Sequence, residues 1–188
     1  MPATNLQLQN QLLIAMPGMR DSRFSKSVSV IARHTNDGCL GLVINQRTQT
    51  SLADLFEHLN IESDDEFFET VQVFNGGPVQ PEQGFVLHNT DQEWESTLNI
   101  TSDLSVTTSR DILDDIARHE GPEKYMVCLG CASWEAGQIE RELLENTWLT
   151  CKTDAALIFD APLETRWHAA SQLLGIDVRL MSGTSGHA

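Results

Sequence analysis

The stretch KYMVCLGCASWEAGQIERELLENTW, residues 124–148, decides the fold, because within it an apolar run gives way to a helical pattern. Tyr125–Leu129 is short and continuously apolar, as strands buried inside a sheet are. A helix starting near Trp134 places Ala136, Ile139 and Leu143 on one side and Trp134, Gln138, Arg141 and Glu145 on another, at 100° per residue. An indole, an amide and a guanidinium (Trp134, Gln138, Arg141) then share an outward stripe that can cradle a planar ligand or an anchor side chain from a partner. The plainer reading, which the sequence favours, packs Trp134 on the end of the sheet and leaves Gln138 and Arg141 solvated.

Cys128 and Cys131 lie in the same stretch. A thiol just before a helix can ionise more easily, so redox chemistry is one option for this C-x-x-C. Against it, Cys128 continues the strand pattern well before the helix start, and free cysteine is among the most often buried residues. The structural reading leads. Cys39 and Cys151 are isolated, and no second C-x-x-C or histidine pair completes a tetrahedral zinc site. No metal and no cofactor is expected.

Outward from this stretch, apolar runs predict further strands at Leu12–Met16, Ser27–Arg33, Cys39–Asn45, Val71–Phe74, Gly84–His88, Leu98–Ile100, Leu104–Thr107 and Ala156–Phe159. Ser51 with Asp54, then Leu55, Phe56 and Leu59, predicts a capped short helix. Thr108 with Asp111 resembles a capping box ahead of Ile112, Leu113, Ile116 and Ala117. Pro162 suits a first helical turn after Asp160, with Leu163, Trp167, Ala170 and Leu174 on one face and Gly175 as terminator. Strands come in runs with helices dispersed among them, which favours α+β with a mixed sheet over a doubly wound parallel one. A chain of 188 residues suits one domain spanning 1–188, with its Met181–Ala188 tail expected to be mobile.

Charge narrows the function classes. The formal net charge is -15, distributed as +3 up to Arg47, -11 from Thr48 to Ile100 without one Lys or Arg, and -7 beyond. Affinity for nucleic acid rests largely on cationic side chains, so this balance opposes direct DNA binding. The cluster Arg20, Arg23 and Lys26 reads as solvated positions on a surface loop. No export signal opens the sequence and no apolar segment is long enough to span a bilayer, so a cytoplasmic protein with no membrane association is expected. The acidic stretch Glu62–Glu69 lacks the spacing and the glycine of a calcium loop.

Asn75-Gly76-Gly77-Pro78 is a strong turn signal, and its paired glycines would also let backbone amides approach a ligand; it is not a phosphate loop. His88 has no nucleophile near it in sequence, and Ser133 lacks the G-x-S-x-G elbow.

These blocks together resemble the YqgE/AlgH family of bacterial proteins along essentially the whole chain. The resemblance rests on Leu13–Pro17 with Asp21, Phe24, Ser27 and Val28; Gly41–Asn45; Gly76–Val79; Gly84–His88; Thr108–Asp111; and Trp134–Gln138 through Glu142, Asn146 and Trp148. It implies an α+β fold with a bifurcated, partly barrel-like sheet surrounded by helices, and it carries the label of transcriptional regulator with no catalytic residues to transfer. Family members commonly have an aromatic residue at the position of Cys131, so the resemblance agrees with a structural role for the thiols. The expectation is a non-enzymatic binding protein that works through Gly76, Gly77, Pro78, Trp134, Gln138 and Arg141 on an unknown protein or small-molecule partner, with an indirect effect on transcription. The competing class is a small-metabolite enzyme or a thiol redox switch at Cys128 and Cys131. The oligomeric state is not legible.

Overall fold

Strand β1 (Gln11–Ala15) is buried at four of its five positions, which is why it reads as an unbroken apolar run rather than an alternating one. Its side chains still alternate: Leu12 and Ile14 join one core cluster, Leu13 and Ala15 another. The computed structural model describes residues 7–89, 91–178, 180 and 181. Residues 182–188, most of the tail expected to be mobile, lie outside them.

The remaining strands are β2 (Val28–Thr35), β3 (Gly38–Val43), β4 (Arg47–Ser51), β5 (Gln72–Asn75), β6 (Val79–His88), β7 (Thr97–Asn99), β8 (Ser105–Thr107), β9 (Tyr125–Glu135) and β10 (Trp148–Lys152). The helices are α1 (Leu52–His58), α2 (Phe67–Thr70), α3 (Asp111–Ala117), α4 (Gln138–Leu144), α5 (Ala155–Phe159) and α6 (Arg166–Gln172). The main path of the sheet is β10-β1-β2-β3-β9-β6-β8-β7. It divides at β9: residues 132–135 pair antiparallel with β3, while Cys128 and Leu129 pair parallel with β5, which carries β4 on its far side. The mixed, bifurcated sheet of an α+β fold is therefore present, curled into a half-barrel.

Three clusters fill the space around it. The inner face of the curl gathers residues from β1, β2, β3, β6, β8 and β9 against Leu157 and Ile158 of α5 and Ala170 of α6. Helices α1, α2 and α3 cover Val73, Val86 and Val127 on a second face. Ile139 of α4 closes the third cluster over Leu13, Ile31, Ala132, Trp134 and Trp148.

The structure corrects several local expectations. Ala156–Phe159 is part of a helix, because Asp154 caps it by accepting from the Leu157 amide and a four-residue apolar run fits either state. Trp134 is in β9, which runs on to Glu135; the helix starts only at Gln138, after Gly137 at φ +74°. The stripe of Trp134, Gln138 and Arg141 on one helix is thus not formed. Ahead of α3, Thr108 does not cap; Asp111 instead accepts from the Glu95 amide and the Ser109 hydroxyl. The last helix begins at Arg166, after a single 3-10 turn at Leu163–Thr165. Strands β4 and β10 are additional to those expected. The Ser51 and Asp54 capping box on α1 is present as read. No helix among the described residues is long and apolar enough to cross a membrane.

Candidate functional site

The turn that ends β9 builds the site. Gly137 takes a left-handed conformation and folds α4 back over the sheet, and the Gln138 side chain accepts from the Glu135 amide at 3.0 Å. One helical turn later comes Glu142, where Gln138 Nε2 donates to Glu142 Oε1 at 2.9 Å. The other carboxylate oxygen, Glu142 Oε2, accepts from the indole of Trp134 at 3.0 Å and from that of Trp148 at 2.8 Å. Both indoles are almost fully buried, so each N–H needs a partner, and one carboxylate serves both.

Phe24 completes the aromatic floor. Its ring meets Trp148 edge-on at 5.6 Å, and the two indoles are themselves edge-on at 6.0 Å. A 3-10 turn, Ser22–Phe24, holds it there, with Asp21 accepting from the backbone and side chain of Arg23. That pairing keeps the Asp21 carboxyl below the usual carboxylate range, chiefly through the Arg23 side-chain hydrogen bonds. Above the floor opens a cleft of about 880 Å³, bounded by Met16, Met19, Arg20, Pro78, Val79 and Ser133, with Glu145 and Asn146 at the α4 end.

Of the residues predicted from sequence, the structure brings Pro78, Trp134 and Gln138 together in this cleft. Arg141 is exposed on α4 outside its lining. Gly76 and Gly77 lie behind it, pressed on β9: a Cβ on Gly76 would stand 2.2 Å from the Gly130 carbonyl oxygen, and one on Gly77 2.3 Å from the Cys131 carbonyl carbon. Their amides donate to the Leu129 carbonyl and the Asn75 side chain. The glycines thus let two backbones approach each other, and their role for the cleft is to seat Pro78 and Val79 at its edge. Glu142, Trp148 and Phe24 belong to the family pattern without a site role expected from the sequence; the spacing of four between Gln138 and Glu142 is the signal that points to the first of them.

Cys128 and Cys131 are reduced, and both belong to the inner core cluster. Three residues apart on a regular strand they would face opposite ways; the left-handed backbone of Gly130, φ +75°, opposite the register shift between Val79 and Gly84 of β6, interrupts the alternation and returns them to one side. Burial pushes the Cys128 thiol up to about 12, against a smaller lowering by Arg166, and raises Cys131 as well. Neither is set up as a thiolate nucleophile. No three His, Cys, Asp or Glu side chains among the described residues are arranged to hold a metal ion.

The profile of the family described as AlgH-like, DUF179, matches residues 12–179, which include the whole floor of the cleft. The chain belongs to the AlgH-like family. A UPF0301 protein of Thioalkalivibrio sulfidiphilus is 49% identical over 95% of this chain and 96% of its own, and one of Stenotrophomonas maltophilia is 43% identical over the full length of both. The solution structure of AlgH from Pseudomonas aeruginosa superposes on this AlgH-like chain with a TM-score of 0.81, at 41% identity and with both chains covered completely. A Corynebacterium diphtheriae protein at 17% identity shares the fold, with a TM-score of 0.74 over 96% of this chain and 94% of its own.

Proposed function

We propose that this AlgH-like chain is a non-enzymatic binding protein whose working surface is the cleft over Phe24, Trp134 and Trp148, and that any effect on transcription passes through the partner it holds there. The observation that carries the reading is the Glu142 carboxylate fixed by two indoles and an amide: a rigid polar group set in an aromatic floor is the usual make-up of a recognition pocket. Two methionines on the wall add adaptable apolar surface. An indirect route fits the net charge of -15, which repels a polyanion. The redox alternative draws less support, since Cys128 and Cys131 are buried and their ionisation is suppressed.

The test is affinity capture from bacterial lysate by wild type and by Ser133→Tyr in parallel, with retained proteins and small molecules weighed by mass spectrometry. Ser133 is exposed on the cleft wall, and tyrosine suits a strand, so the variant fills the cleft without disturbing the core. A component held by wild type and lost by the variant is the expected result. Equal retention by both removes the cleft from the account.

A further inference from the structure

The charges in the cleft are unevenly matched. Arg23 is committed to Asp21, whereas neither Glu142 nor Glu145 forms an ion pair among the described residues. Among the described residues the donors to Glu142 are all neutral: two indole N–H groups and one amide. A carboxylate accepts about four hydrogen bonds and the described residues supply three, so Oε1 can take a further donor. Arg20 leaves the lining one negative charge in excess, within a molecule of net charge -15.

Resting on the binding role of the cleft, we propose that its occupant is a basic polypeptide segment that inserts an arginine side chain towards Glu142 and Glu145. A guanidinium can donate to a carboxylate while its plane lies against aromatic rings, a combination that a lysine ammonium does not match. Its alkyl stem covers the apolar wall formed by Met16, Met19 and Val79. The negative field of the whole molecule steers such a segment inward and disfavours an acidic one.

The experiment uses three libraries of acetylated, amidated pentapeptides, with arginine, its neutral isostere citrulline, or glutamate fixed at the centre and mixed residues elsewhere. Each is titrated into the full chain while the indole N–H signals of Trp134 and Trp148 are followed by proton–nitrogen correlation spectra. The arginine library should move both signals at about tenfold lower concentration than the citrulline library, as a charge-assisted hydrogen bond implies. Glu145→Lys, at an exposed position without an ion pair among the described residues, should keep a folded spectrum and abolish the preference. Arg20→Glu should strengthen it. Citrulline or glutamate libraries acting equally well or better would overturn the arginine anchor while leaving the cleft a binding site. No shift with any library would also overturn it, and the Ser133→Tyr comparison would then decide separately whether the cleft binds at all.

Discussion

Glu142 carries more of the local structure than any other polar residue in the cleft, because two buried indoles depend on one of its oxygens. Glu142→Ala leaves both N–H groups unpaired, and a loss of roughly 2–4 kcal/mol follows in urea unfolding, with a changed tryptophan emission. Gly76→Ala should be worse still: its Cβ would overlap the Gly130 carbonyl, neither backbone can yield, and more than about 3 kcal/mol or outright failure to fold is expected. His88 gives a pH signature. It is fully buried, bonded through Nε2 to Thr107 Oγ1 at 2.8 Å, and burial lowers it from 6.5 to about 4. Above pH 6.5 the ring is neutral in folded and unfolded chains alike; as the pH falls towards 4 only the unfolded chain takes up the proton. Stability should therefore decline through that window, by about 3 kcal/mol at pH 4, and then level off for this group. Urea midpoints measured against pH should show the decline in wild type and lack that component in His88→Gln.

At the scale of elements, β9 governs both the branching of the sheet and the fate of the thiols. Cys39, Cys128 and Cys131 are buried and Cys151 is only half-buried, so a thiol reagent on the native protein should modify Cys151 first and reach the other three on the timescale of unfolding. Fast reaction at Cys128 would revive the redox alternative. The same strand explains what sequence could and could not reveal. The continuous apolar stretches of β1, β2 and β3 were legible because both their faces are buried. By contrast β4, Arg-Thr-Gln-Thr-Ser, looks like a loop: the Gln72 side chain donates to the Thr48 and Thr50 carbonyls, so a side chain replaces much of the ladder. The boundary between β9 and α4 is hard to read from sequence because past Gly130, at φ +75°, β9 changes from a continuous apolar run to a short alternation of Ala132 and Trp134 with Ser133 and Glu135, too brief to be told from the start of a helix. Of the cleft, Pro78, Trp134 and Gln138 were singled out from sequence. Glu142 and Trp148 lie within fourteen residues of Trp134, but their convergence depends on the turn at Gly137 that folds α4 back over the sheet, and Phe24 joins them from more than a hundred residues away, which no local pattern encodes.

For the whole molecule, the AlgH-like fold places an aromatic cleft with an under-compensated carboxylate on a protein of net charge -15. Duplex DNA should not be retained at physiological ionic strength, and gel-shift titration should show no sequence preference; a salt-resistant, sequence-selective complex would remove the need for a partner. The most direct measurement of the central claim uses the four tryptophans together. Trp94 is bonded to Asp115 and Trp167 to the Ala15 carbonyl, while Trp134 and Trp148 share Glu142. On adding unlabelled bacterial lysate to isotope-labelled protein, the indole signals of Trp134 and Trp148 should shift or broaden while those of Trp94 and Trp167 hold. If all four stay fixed, or if the pair outside the cleft responds instead, the cleft is not where this protein does its work.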